Sequence, residues 1–82
     1  MLYDLYVDED KVGDGLSKGE LNQWILDLYL ELNESEKFAF RKRFGVNNED
    51  NFEDFIYENE ISCPLKVKHK DNIITIDENE FS

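Results

Sequence analysis

Apolar residues in this chain recur first at every second position and then at every third or fourth. In MLYDLYV, residues 1–7, Tyr3, Leu5 and Val7 fall on one side of an extended segment and Leu2, Asp4 and Tyr6 on the other, the alternation of a strand. The acidic, glycine-containing stretch DEDKVGDGLSKGEL, residues 8–21, follows and reads as a turn that leads into a helix. Ser17 stands three residues before Glu20, the spacing of a reciprocal capping box. From there Leu21, Trp24, Ile25, Leu28, Tyr29 and Leu32 recur at helical intervals and predict a core stripe. Leu26 and Leu30 fall off that stripe, at about 100° per residue, beside Gln23 and Asp27. Two leucines on the back of a surface helix predict a cover: a neighbouring helix, a second subunit or a partner, of which the helix suits so short a chain best.

The NESE segment repeats the capping signal with Asn33 and Glu36, so the first helix stops and a second runs to about residue 44, where Gly45 supplies a left-handed C-terminal position. Phe40 and Phe44 share its inner face, and its cationic residues suit the C-terminal end of the helix dipole. NNEDNFEDFIYENE predicts a third, short helix with Phe52, Phe55 and Ile56 inward and Glu53, Asp54, Tyr57 and Glu58 outward. LKVKHK and NIITID then read as two strands of a hairpin. The expected fold is α+β, with three short helices on a small antiparallel sheet of about three strands in the order β-α-α-α-β-β. Its core should include Leu5, Leu21, Ile25, Leu28, Leu32, Phe40, Phe44, Phe52, Phe55, Val67 and Ile74, and residues 78–82 form a solvated tail that Phe81 either ties down or leaves frayed.

At 82 residues the chain suits one domain with one core, too small to spare apolar side chains for a deep catalytic cavity. No apolar run approaches the ~20 residues that span a bilayer, and no basic leader precedes a hydrophobic segment, which predicts a soluble, cytoplasmic protein. The one cysteine, Cys63, excludes an internal disulfide and a cysteine-ligated metal cluster. Charge changes the picture most. Twenty acidic residues against nine basic give −11, which opposes nucleic acid and anionic membrane and favours a basic protein partner. The basic runs KFAFRKRF and LKVKHK lie between acidic blocks, where neighbours can neutralise them.

Two frames test the acidic stretch as a calcium loop, which needs oxygen ligands at loop positions 1, 3, 5, 7, 9 and 12 and glycine at 6. With Asp10 first and Gly15 sixth, Val12 occupies the third position and Leu21 the twelfth, the glutamate arriving one residue early as Glu20. With Asp8 first, Asp10 and Gly13 fit, but Gly19 takes the place of the bidentate carboxylate. A divalent-ion module on Asp10, Asp14 and Glu20, with Ca2+ as the cofactor, is therefore an alternative, and a capping turn with solvated carboxylates is the main expectation.

Catalytic signals are weak. Asp27 and Glu31 share a helical face, an expected coincidence among so many carboxylates. His69 reads as a surface histidine on a mixed strand, and Cys63, before Pro64, as a packed thiol. Phosphate-binding glycine motifs, C-x-x-C and H-E-x-x-H are absent. Phe38 and Phe40 in KFAFRKRF differ by about 200° on a helix, so they cannot form one stacking platform for bases.

The remaining chemistry is that of an acidic surface. Carboxylates at Asp27, Glu31, Glu49, Asp50, Glu53, Asp54 and Glu58 could occupy a protein groove built for phosphate, with Tyr57, or Leu26 and Leu30, as a desolvated anchor. In size and charge the chain resembles the small acidic inhibitors encoded by phages and plasmids, including anti-restriction and anti-CRISPR proteins. The expected function is non-catalytic inhibition of a nucleic-acid-binding enzyme by mimicry of nucleic acid, with no direct binding of nucleic acid or membrane. The alternatives are the divalent-ion module and a toxin-neutralising or regulatory subunit, and a homodimer is compatible with either.

Overall fold

A computed structural model describes residues 1–46 and 51–80. Its first strand, β1 (Tyr3–Val7), turns at Asp8, whose φ of 57° reverses the chain, into β2 (Asp10–Leu16). Residues 10–16, expected as a turn, are thus an antiparallel strand. The pattern hides it because β2 spends seven residues against the five of β1, with register shifts on either side of the Leu5↔Gly13 pair. Such bulges destroy the strict alternation that marks a strand.

Helices α1 (Lys18–Leu30) and α2 (Glu34–Arg43) follow, and both predicted capping boxes are present in full. Ser17 and Asn33 each accept the N–H of the glutamate three residues on, whose carboxylate accepts the cap N–H in return. Gly45, at φ 92°, ends the second helix as expected. Helix α3 (Phe52–Glu58) begins without a side-chain cap, after Asn51 in the left-handed region. Strands β3 (Leu65–His69) and β4 (Asn72–Glu78) form the expected hairpin.

Among the described residues the fold is α+β, with three helices and a fully antiparallel sheet ordered β2-β1-β4-β3, to which β2 adds a fourth strand. In the middle of the sheet β1 pairs with β4, Leu5 opposite Ile76 and Val7 opposite Ile74, while Val67 of β3 also faces Ile74. Directly paired residues point to the same side of a sheet, so Tyr3, Leu5, Val67, Ile74 and Ile76 form one apolar surface. The helices bury it with Leu21, Ile25, Leu32, Phe40, Phe52 and Ile56. Tyr29, Phe40, Phe44 and Phe52 stack at centroid distances between 4.5 and 6.0 Å where the helices meet. No helix among the described residues is long and apolar enough to cross a membrane.

Several positions depart from the expected core. Leu28, Phe44 and Phe55 are half-buried at its margin, and Trp24 is 37% exposed. Leu26 packs against the core from the flank of α1, whereas Leu30 stays 68% exposed, so the two do not form one covered patch. Of the expected tail, Glu78 closes β4, and Asn79 is buried with its N–H donated to the Leu2 carbonyl at 2.9 Å. Phe81 lies outside the described residues.

Candidate protein-binding surface

The carboxylates of the N-terminal acidic stretch are used within the fold. Asp4, buried on β1, accepts from the Gly15 N–H at 3.0 Å and from Asn79 Nδ2 at 2.8 Å, with Lys11 Nζ at 3.3 Å. Asp14 lies 3.1 Å from the same ammonium and accepts from Asn79 at 3.2 Å. Asn79 and the Gly15 amide hold the Asp4 carboxyl below the usual carboxylate range, and Lys11 adds to the effect. Glu20 is engaged by its cap, which also lowers its pKa. Asp10 stands opposite Val7, exposed, at the far end of β2. The three residues expected to hold calcium are therefore divided between a hairpin end, a strand network and a helix cap. Among the described residues no group of three or more His, Cys, Asp or Glu side chains is placed to hold a metal ion.

The outer carboxylates are arranged differently. Along α1 the exposed stripe runs Glu20, Gln23, Trp24, Asp27 and Glu31, and together with half-buried Leu28 it lines an open groove of about 420 Å³. Within it, Gln23 Nε2 donates to Asp27 Oδ1 at 3.1 Å. Helix α3 presents Glu53, Asp54 and Glu58 around Tyr57, which is 52% exposed. Lys18 is the single basic residue of these two helices, and its ammonium turns inward to Asn22 Oδ1 at 2.8 Å and to the Ile56 carbonyl, tying α1 to α3. Burial lowers its pKa. Of the expected partner-binding residues, Asp27 and Glu31 share the α1 groove, while Glu53, Asp54, Tyr57 and Glu58 share the outside of α3. Glu49 and Asp50 lie outside the described residues.

The cations gather elsewhere. KFAFRKRF is helical within α2, with Phe38 49% exposed and Phe40 buried, so the two rings diverge as expected. Arg41 is buried and donates to the Tyr29 hydroxyl, and Arg43 donates through Nε to the Lys66 carbonyl at 2.9 Å, which ties α2 to the outer edge of β3. Lys66 and Lys68 are exposed on β3, and Lys70 in the following turn sits 3.9 Å from Glu31.

His69 is buried, with Nε2 3.0 Å from the Leu28 carbonyl and 3.5 Å from Glu31 Oε2, at the C-terminal end of α1. The surface placement expected for it is incorrect. The signal was present: Val67 faces inward, and on a strand the residue two positions later shares its face. Cys63 is half-buried, its thiol pKa raised by burial and then by nearby Asp77 and Glu78, which leaves little thiolate for nucleophilic work. Trp24 is the surface residue that the periodic reading misassigned, since it stands at the edge of the apolar stripe and opens onto the groove.

Comparison of the chain with protein-family models, curated proteins and solved structures finds no match. The functional reading accordingly rests on the surface itself.

Proposed function

We propose that this protein is a non-catalytic acidic ligand for a basic protein surface, acting by occupying the phosphate-binding groove of a nucleic-acid-processing enzyme. The observation that carries the reading is the sorting of charge among its elements. The outer faces of α1 and α3 hold Glu20, Asp27, Glu31, Glu53, Asp54 and Glu58, and the one lysine of those helices is turned inward. The exposed cations lie mainly on α2 and β3, with Lys11 on β2 paired to Asp4 and Asp14 and Lys70 in the turn after β3.

A phosphate groove is built from Lys and Arg set to meet a regular row of anions. Carboxylates carried on helices offer anions whose backbone is already ordered, so only side-chain freedom is lost on binding, and a net charge of −11 steers the encounter. Charge alone gives little affinity once screened by salt, so an exposed ring such as Tyr57 or Trp24 supplies the desolvated contact.

The test is affinity capture of the partner from the native host, followed by competition with its nucleic acid. A captured basic enzyme should lose DNA or RNA binding in proportion to its occupancy by this protein. Unchanged nucleic-acid affinity at saturating inhibitor would defeat groove occupation.

A further inference from the structure

We propose that the α1 groove is a receptor for an arginine side chain, with the Trp24 indole as its stacking face and the Asp27 carboxylate as its clamp. The inference rests on the reading of this protein as a ligand for a basic surface, and names the chemistry by which that surface is gripped.

Aromatic faces elsewhere in the molecule already carry cations from the same chain. Lys11 lies 5.9 Å from the Tyr6 centroid, Lys37 and Arg41 lie 5.4 and 5.9 Å from that of Tyr29, and Lys42 lies 5.3 Å from that of Phe38. Trp24 offers the best face for a cation of any side chain, yet among the described residues none supplies one. It is 37% exposed in a groove whose charged residues are all acidic.

The helix sets the spacing. Glu20 stands four residues before Trp24, Asp27 three after it and Glu31 seven after it, so one stripe carries a carboxylate a turn before the ring and others one and two turns beyond. The three carboxylates are not equally available. Glu20 is held by the Ser17 N–H, and Glu31 is shared with His69 and Lys70. Among the described residues Asp27 is engaged through Oδ1 alone, by a neutral amide at 3.1 Å. A cation that stacks on the indole and reaches Asp27 is held best when it is flat on one side and carries donors on its edge. Guanidinium meets both demands in full, stacking by its plane and donating from its edge; an ammonium, as Lys11 shows over Tyr6 and beside Asp4 and Asp14, meets them only as a point charge without planar stacking.

Trp24 is the only tryptophan in the chain, so its fluorescence reports on the groove directly. The full protein is titrated with two short glycine-spaced peptides of equal charge, one carrying arginine and the other lysine, in about 0.15 M salt to screen long-range attraction. The arginine peptide should saturate the Trp24 signal with roughly three- to tenfold higher affinity. Asp27→Asn should weaken the arginine peptide and narrow its advantage. Trp24→Leu, followed by the amide shifts of Asp27 and Glu31, should abolish the advantage while leaving weak, salt-sensitive binding. Equal affinity for the two peptides, or shifts centred on residues 53–58 with the Trp24 indole N–H unmoved, would overturn the assignment. An arginine preference in a protein that fails to displace nucleic acid from its captured enzyme would sink groove occupation alone. Displacement without arginine preference would sink the arginine receptor alone.

Discussion

The Asp4 carboxylate accepts the Gly15 N–H at 3.0 Å, so a side chain of β1 holds the bulged backbone of β2 where Gly15 takes a left-handed φ of 63°. The bond to Asn79 and this amide keep the carboxyl ionised below its ordinary range. A depressed carboxylate pKa stabilises the folded state above the unfolded value, about 3.9, and that contribution is lost as pH falls through the folded value. Asp4→Asn should therefore lower the melting temperature at neutral pH. The deficit should shrink below about pH 4, where the wild type loses the same interaction. Thermal unfolding followed across pH 2–7 checks this, and a deficit independent of pH would contradict it.

Tyr3 gives the opposite end of the pH scale. Its ring is fully buried, and its hydroxyl donates to Glu60 Oε2 at 3.0 Å. Burial first, then the bond and charge of Glu60, push the phenol up to about 12. A raised pKa contributes stability that is complete below the unfolded value of about 10 and is lost as pH rises through the folded one. Phenolate absorbance should show one of the four tyrosines ionising late, near the alkaline unfolding step. Tyr3→Phe should remove that late step and, by loss of the hydrogen bond, cost about 1 kcal/mol at neutral pH.

Both capping boxes lie at the surface, where their loss disturbs little else. Ser17→Ala and Asn33→Ala should each cost about 1 kcal/mol in urea unfolding with an unchanged denaturant slope. Their effects should add, because the caps belong to different helices and share no partner. A large excess in the double variant would mean that the two helix starts are coupled through the core.

For the proposed partner complex, rate constants separate steering from anchoring. Reversing charge at Glu53, Asp54 and Glu58 should slow association and flatten its salt dependence, with dissociation little changed. Tyr57→Ala should instead hasten dissociation if that ring is desolvated in the complex. Stopped-flow measurements at several salt concentrations distinguish the two, and equal effects of both sets on dissociation would refute the division.

What the sequence revealed divides along the range of the interactions responsible. Ser17 with Glu20 and Asn33 with Glu36 were legible because each cap closes within four residues, and Gly45 because a helix end asks for that backbone. Strand β2 was not, since Asp, Lys and Gly are poor strand formers and what holds them comes from the Asp4 side chain across the hairpin and from Asn79, far away in the chain. Trp24 and Leu26 exchanged roles for a geometric reason. The buried arc of α1 is centred near Ile25 and includes polar Asn22, which accepts from Lys18, so it is rotated from the arc that the apolar residues alone suggest. The outer faces of α1 and α3 were readable as acidic, but only the fold sorted them from the cations of α2 and β3.

The pairing of β1 with β4 brings residues 3–7 against residues 74–78 and joins two hairpins that are each local in sequence. A two-stranded hairpin is marginal alone in water, and closing so long an intervening chain carries an entropic penalty before the contacts offset it. Neither hairpin therefore serves as a platform on which the sheet grows strand by strand. The sheet is complete only when its two halves meet at that seam, so the β1–β4 pairing is the one closure of the sheet that spans nearly the whole chain, and it is the contact with the largest loop-closure cost.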